Sequence, residues 1–139
     1  MKPFKFFHPI EIRYGDLDPQ GHVNNAKFLT YFEQTRVQYL IQLGLFSKDQ
    51  SFLEVGIILA EATVTFRAPL RYGVNAWVGA GVTHLGNKSI HMAYDLQDRR
   101  TSESIAEGSA IIVTYDYGDH KTITIPDHWR EAITQFEGL

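Results

Sequence analysis

The sequence has no cysteine. That removes disulfides, thiolate metal sites and a cysteine nucleophile together, so any catalysis must draw on other side chains. It also has little excess charge of either sign: 13 lysines and arginines stand against 16 aspartates and glutamates, a formal net charge of −3. Such a balance offers no electrostatic reason to expect nucleic acid or an anionic membrane as a partner. No run approaches the roughly 18 apolar residues that span a bilayer. The N-terminal "MKPFKFFHPIEIRYGD" meets Glu11 and Arg13 too early to form the apolar core of a secretion signal. A cytoplasmic location is the expectation. Low-complexity segments, charge blocks and internal repeats are missing as well. Six histidines occur, none in a metal-binding spacing such as HExxH, so no metal centre is expected.

What is present is ordinary globular material. The 139 residues are 44% hydrophobic, enough for one core and one domain spanning 1–139. "HPIEIRYGD" alternates Ile10, Ile12 and Tyr14 against Glu11 and Arg13, which predicts a first strand ending at Gly15. From Ala26 the period changes. Phe28, Leu29, Phe32, Tyr39, Leu40 and Leu43 form one broad stripe at 3.6 residues per turn, predicting a helix of about five turns. Asn24 or Asn25 can cap its start and Gly44 can end it. After a loop around Ser47 to Gln50 come four strand-like stretches: "GIILAEATVTFRAPL", "NAWVGAGVTHLG", "KSIHMAYDLQD" and "SIAEGSAIIVTYDY". Turn signals at 71–75, 86–87 and 98–102 separate them, as consecutive antiparallel strands require. Pro126 then opens a short helical pattern. One helix followed by a run of strands favours an α+β fold with a single antiparallel sheet.

The densest polar cluster is "YGDLDPQGHVNN", immediately before the long helix. The longer segment Arg13 to Arg36 resembles the acyl-CoA thioesterases of the 4-hydroxybenzoyl-CoA thioesterase and YbgC-like group. Tyr14, Asp16, Asp18, Gly21, His22, Val23, Asn24, Asn25, Phe28, Tyr31, Glu33 and Arg36 stand at positions matching that family's pattern. The likeness continues less specifically through the "RYG" and "LGNKS" turns and fades toward the C-terminus. It implies the hotdog fold: a five-stranded antiparallel sheet wrapped around one long central helix, here with a short C-terminal helix.

The resemblance also implies chemistry. A carboxylate can attack a thioester carbonyl or deprotonate water, provided backbone donors stabilise the oxyanion. The family's active carboxylate falls on Asp18, and the Asn25 backbone amide is the candidate oxyanion donor by the same analogy. From below, the placement is reasonable: Asp18 lies in the loop feeding the helix, whose first amides are unpaired and whose dipole favours negative charge. The competing role for Asp18 is an ordinary Asx-turn, which an Asp-Pro dipeptide favours. Asp16 reads as loop scaffolding. His22 either orients the substrate or fixes the loop, and Glu33 is the reserve catalytic carboxylate. Glu33 with Arg36 otherwise reads as an intrahelical ion pair, buried if the sheet wraps the helix.

Coenzyme A ends in phosphates and adenine, so the family's substrate turn, here Asn87, Lys88 and Ser89, is the expected binding surface, with Arg67 and Arg71 as weaker candidates. Coenzyme A enters as part of the substrate and no cofactor is expected. By resemblance the sites lie between subunits, implying a homodimer, assembled further into a homotetramer. Three alternatives stand beside the acyl-CoA thioesterase: an acyl-carrier-protein thioesterase, a hotdog dehydratase, and a non-catalytic module binding an acyl ligand or a protein. The dehydratase ranks low because "DPQGHVNNAKF" lacks its proline-rich arrangement.

Overall fold

A computed structural model describes residues 3–47, 49 and 56–139. In chain order these form β1 (Phe6–Pro9), a 3-10 turn (Tyr14–Asp16), α1 (Asn25–Gln42), β2 (Gly56–Phe66), β3 (Ala76–Leu85), β4 (Ser89–Asp98), β5 (Glu103–Asp116), β6 (Lys121–Thr122) and α2 (Asp127–Glu137). The antiparallel sheet runs β1-β3-β4-β5-β2, with β6 adding to β5. This is the hotdog fold. The sequence reading missed β6, which is only two residues long and too short to carry a periodicity signal.

β4 and the second half of β5 alternate as a sheet with one covered face must. Ala76, Val78, Ala80 and Val82 of β3, with Ile90, Met92, Tyr94 and Leu96 of β4, are buried beneath α1. The helix supplies Phe28, Tyr31, Phe32, Thr35, Arg36, Tyr39 and Leu40 to the buried side. Two residues of the helix correct the expected stripe. Leu29 is exposed, while Tyr31 is buried because its hydroxyl has a partner inside. The Phe32 ring stacks on Tyr94 with centroids 4.9 Å apart and planes 9° from parallel. Below that pair β5 carries Gly108, where a Cβ would collide with the Phe32 ring and stand 2.9 Å from the Thr63 carbonyl oxygen.

Both ends of α1 follow their chemistry. The Asn24 side chain accepts from the Ala26 amide at 2.9 Å, and Gly44 takes φ +76° just past the last turn. The first strand is displaced from its predicted place. Pairing with β3 covers Phe6 to Pro9; residues 10–13 lie outside any strand, with Ile10 and Ile12 nonetheless buried, and Tyr14 opens the 3-10 turn and is exposed. The register explains this: β3 begins at Ala76, whose carbonyl still accepts from the Ile10 amide, and among the described residues no strand lies beyond it. Of the loop expected at Ser47 to Gln50, Lys48 and Gln50 lie outside the described residues.

At the far end of the chain α2 buries Trp129 and Ile133. Its Glu137 carboxylate accepts from the Tyr39 hydroxyl at 2.7 Å and the Val82 amide at 2.8 Å, beside a bulge in β3. No helix among the described residues is long and apolar enough to cross a membrane. β2 is the last strand in the sheet order, and Ile58, Leu59 and Phe66 along it are exposed.

Candidate active site

The polar cluster before α1 folds back on itself. The Asp18 amide donates to the His22 carbonyl at 2.8 Å and the Gly21 amide to the Asp18 carbonyl at 3.0 Å, so Leu17 and Val23 face each other as a one-rung ladder. Gly21 sits at φ +83°, a conformation that disfavours any side chain and lets the loop turn within four residues. Two bonds fasten this loop to the rest. The Val23 amide reaches the Leu70 carbonyl at 2.8 Å, and His22 bridges Arg71 through the backbone. The segment after β2 is thereby drawn across the start of the helix.

Asp16 is the loop's internal anchor, as the sequence reading expected. It is 6% exposed, and its carboxylate accepts from the Tyr31 hydroxyl at 2.7 Å and the Arg13 amide at 3.0 Å, with Lys27 Nζ 3.9 Å away. Burial by itself would push this carboxyl up; the Tyr31 and Arg13 hydrogen bonds and the nearby cations outweigh it and hold it below its ordinary value. Tyr31 moves the other way, pushed well up by burial and by the adjacent carboxylate, so it remains a donor. A carboxyl lowered on folding stabilises fully above its ordinary value of 3.8, and that contribution fades as pH falls through the folded value. Tyr31→Phe is therefore expected to cost about 1.5–3 kcal/mol at neutral pH. Its deficit against wild type should shrink below about pH 4 in denaturant titrations. A deficit unchanged down to pH 2 would contradict this.

Asp18 makes the Asx-turn that its neighbouring proline favours: Oδ1 accepts from the Gln20 amide at 2.9 Å. The turn does not seal it. Oδ2 has no hydrogen-bond partner among the described residues, and the half-buried side chain lines an open cavity of about 350 Å³. His22 and Asn25 line the same cavity. Asn25 is the first residue of α1, so its amide has no carbonyl one turn back, and among the described residues it makes no hydrogen bond. One cavity is thus lined by Asp18, His22 and Asn25, and among the described residues Asp18 Oδ2 and the Asn25 backbone amide are without hydrogen-bond partners. That combination suits a reaction in which a carbonyl carbon is attacked while its oxygen gains charge.

The remaining candidates lie elsewhere in the chain. Glu33 is on α1 more than two turns from Asn25; it lines separate cavities with Arg36 and does not share the Asp18 cavity. Asn87 and Lys88 lie in the β3–β4 turn and Ser89 opens β4; Lys88 Nζ donates to Thr122 Oγ1 at 3.2 Å and the Asn87 carbonyl accepts from the Ile125 amide. β3 leads away from the Arg71 end that touches His22, so one ten-residue strand, roughly 30 Å, separates this turn from Asp18. Arg67 does line the cavity, paired with Glu107 at 2.7 Å. Phe66, Ala68, Pro69 and Leu70 line it too and were not singled out from the sequence. Their signal was only the stop at Pro69. It is the Val23 to Leu70 hydrogen bond, a tertiary contact, that brings them to the helix start.

Cavities continue from here along the seam between α1 and β2. Beyond Phe28 and Phe66 comes a space beside Leu29, Phe32 and Ala62, then one beside Val37, Leu59 and Gly56. Among the described residues no three histidine, aspartate or glutamate side chains converge as metal ligands would.

A family model described as the thioesterase-like superfamily matches residues 12–133. Among curated proteins, the chain is 26% identical over 133 residues to the chloroplastic acyl-acyl carrier protein thioesterase ATL2 of Arabidopsis thaliana, covering 94% of this chain and 70% of that one. Among solved structures it resembles a thioesterase from Thermus thermophilus complexed with coenzyme A and zinc. That likeness has TM-score 0.83 and 29% identity and covers 100% of this chain and 99% of the other. A Pseudomonas aeruginosa protein superposes with TM-score 0.87 at 26% identity, covering 96% and 92%.

Proposed function

The chain belongs to the thioesterase-like superfamily and is a thioester hydrolase, and on that premise we propose that it cleaves acyl-CoA to a carboxylic acid and free coenzyme A at the Asp18 cavity. The observation that carries this reading is that Asp18 and Asn25, whose amide is unpartnered among the described residues, line one open cavity. The thioester carbonyl oxygen takes the Asn25 N–H, and the carbon faces Asp18. By one route the carboxylate removes a proton from water, the resulting hydroxide adds to the carbon, and collapse expels the thiolate, which recovers the proton from Asp18. By the other the carboxylate adds directly, thiolate leaves, and water cleaves the acyl-aspartyl anhydride. The acyl chain runs along the α1–β2 seam. His22 supports the loop and faces the reacting groups, and Glu33 has no role in this chemistry.

The β2 edge, unpaired among the described residues, supports a homodimer in which two β2 strands pair antiparallel about a twofold axis, continuing the sheet. The Phe66 end of β2 lies at the Asp18 cavity, whereas the β3–β4 turn lies at the Gly56 end, since Gly56 pairs with Tyr115 and Ser89 with Val113. A twofold axis across β2 therefore brings the second subunit's Asn87, Lys88 and Ser89 to the Asp18 end. There they can meet the phosphates of coenzyme A. A further doubling to a tetramer rests on the family likeness, as does the cytoplasmic setting. Lysine substitution at both Ile58 and Leu59 is expected to halve the mass measured by light scattering and to remove most thioesterase activity. A monomeric but fully active variant would contradict the shared site.

Acyl-carrier-protein thioesters are the second reading, favoured by the Arabidopsis relative and by Arg67 and Arg71 beside the cavity. Release of free thiol from a panel of acyl-CoA and acyl-carrier-protein thioesters decides between them. Acyl-CoA is expected to be cleaved with the higher kcat/KM. Binding without turnover of either would leave a ligand-binding module.

A further inference from the structure

Arg36 is a buried cation whose partners are incomplete. Its side chain is 6% exposed. Nη1 donates to the Tyr94 hydroxyl at 3.1 Å, which fixes one side of the guanidinium. On the other side Nη2 is 3.8 Å from Glu33 Oε2, beyond hydrogen-bond distance, and Glu33 is 66% exposed and drawn toward solvent. Nε makes no hydrogen bond at all, and it is the one buried side-chain nitrogen or oxygen among the described residues so placed. Nε and Nη2 share an edge of the planar group, the edge that grips an oxygen acceptor with two parallel bonds. With Nε unpartnered and Nη2 held only by the loose Glu33 contact, that edge is incompletely satisfied in a buried site, at a desolvation cost.

The same side chain borders two cavities of the α1–β2 seam, of about 120 and 320 Å³. The smaller is lined on its polar side by Arg36, Glu33, Tyr94, Ser109 and Thr30. An alkyl terminus entering it would strip water from the guanidinium and supply no acceptor. Arg36 lies about three helical turns, roughly 16 Å, beyond Asn25, and helical side chains lean back by about one turn toward the N-terminus. The head group therefore stands a medium-length acyl chain away from the thioester position.

We propose that Arg36 is a specificity residue, donating to an acceptor oxygen at the far end of the acyl group, so that the seam selects acyl chains with a polar terminus over plain alkyl chains. This rests on the acyl-CoA reading above. The exposed Glu33 swings out when the incoming oxygen is anionic and stays when it is neutral.

The test compares decanoyl-CoA with its ω-hydroxy and ω-carboxy counterparts on the wild-type protein. Both oxygenated chains are expected to exceed decanoyl-CoA in kcat/KM by at least about tenfold, because a site built around a polar contact rejects the analogue lacking it. The better of the two assigns a neutral or an anionic terminus. Arg36→Met should collapse the ratio toward one, and Arg36→Lys, which keeps the charge but not the fork, should fall between. A wild-type ratio at or below one, or an unchanged ratio in Arg36→Met, overturns the assignment; the wild-type comparison stands even if the variants fail to fold. Should no thioester be cleaved, the hydrolase reading fails and the same ratio is read from Kd values of the intact thioesters by calorimetry. A preference for the oxygenated chains then keeps Arg36 in this role, and equal or absent binding removes it.

Discussion

Asp18→Asn is expected to lower kcat for the best acyl-CoA substrate by roughly 10²–10⁴-fold, the range that a positioned base contributes. KM should change little and the fold should persist. The substitution is nearly isosteric, and an asparagine carbonyl can keep the one bond that Asp18 Oδ1 accepts from Gln20. What it loses is the free oxygen in the cavity, as attacking atom or as proton acceptor. The expected signature is thus a protein with wild-type circular dichroism and melting temperature, unaltered binding of substrate and almost no turnover. If activity survives, Asp18 is only the turn residue that its Asp-Pro context would make it. A multiple-turnover reaction in ¹⁸O-labelled water, followed by mass analysis of the loop peptide, identifies the nucleophilic route when label enters Asp18, which happens only if the carboxylate itself attacked and water opened the anhydride at the aspartyl carbonyl.

Gly108→Ala is expected to be among the most damaging small substitutions in the molecule. The added methyl would be forced into the Phe32 ring, which is itself sandwiched against Tyr94, and would approach the Thr63 carbonyl of the neighbouring strand to 2.9 Å. The ring can yield only by tilting the helix off the sheet, and the carbonyl belongs to a paired strand. Overpacking of this kind costs about 1–3 kcal/mol or more, several degrees in melting temperature for a chain of this size. The damage should reach function, because Phe32 also lines the seam. Trimming the ring in a Gly108→Ala/Phe32→Leu double variant should recover part of the loss, a coupling that a remote effect would not produce. A neutral Gly108→Ala would mean that helix and sheet do not approach this closely.

How much of this was legible beforehand follows from the range of the interactions involved. Helix α1 could be read almost to the residue because its signals are local: an asparagine cap, a stripe at 3.6-residue spacing and a glycine stop. The long strands were readable for the same reason. The first strand was placed too late: Ile10 and Ile12 of the alternation are buried, although Tyr14 is exposed, but a strand also needs a neighbour, and β3 starts at Ala76. The spacing of Glu33 and Arg36 announced a pair and could not say which partner faces the sheet; that is set by how the helix rolls on Tyr94 and Gly108. The single residue between Asp16 and Asp18 likewise hid opposite fates. One carboxylate is locked inward by Tyr31, fifteen positions along, while the other is left facing a cavity whose far wall comes from the end of β2. Gly108 looked like any strand glycine until the ring above it was in place. For Asn87, Lys88 and Ser89 even the folded chain is insufficient, because their place at a site depends on a second copy.

The most direct test is a crystal structure with a non-hydrolysable acyl-CoA analogue in which a ketone replaces the thioester. The account predicts the carbonyl oxygen about 2.7–3.1 Å from the Asn25 amide nitrogen, its carbon facing the free Asp18 oxygen and its alkyl chain lying along the α1–β2 seam. A carbonyl bound away from the helix start, with the Asn25 amide still empty and Asp18 out of reach, would contradict it.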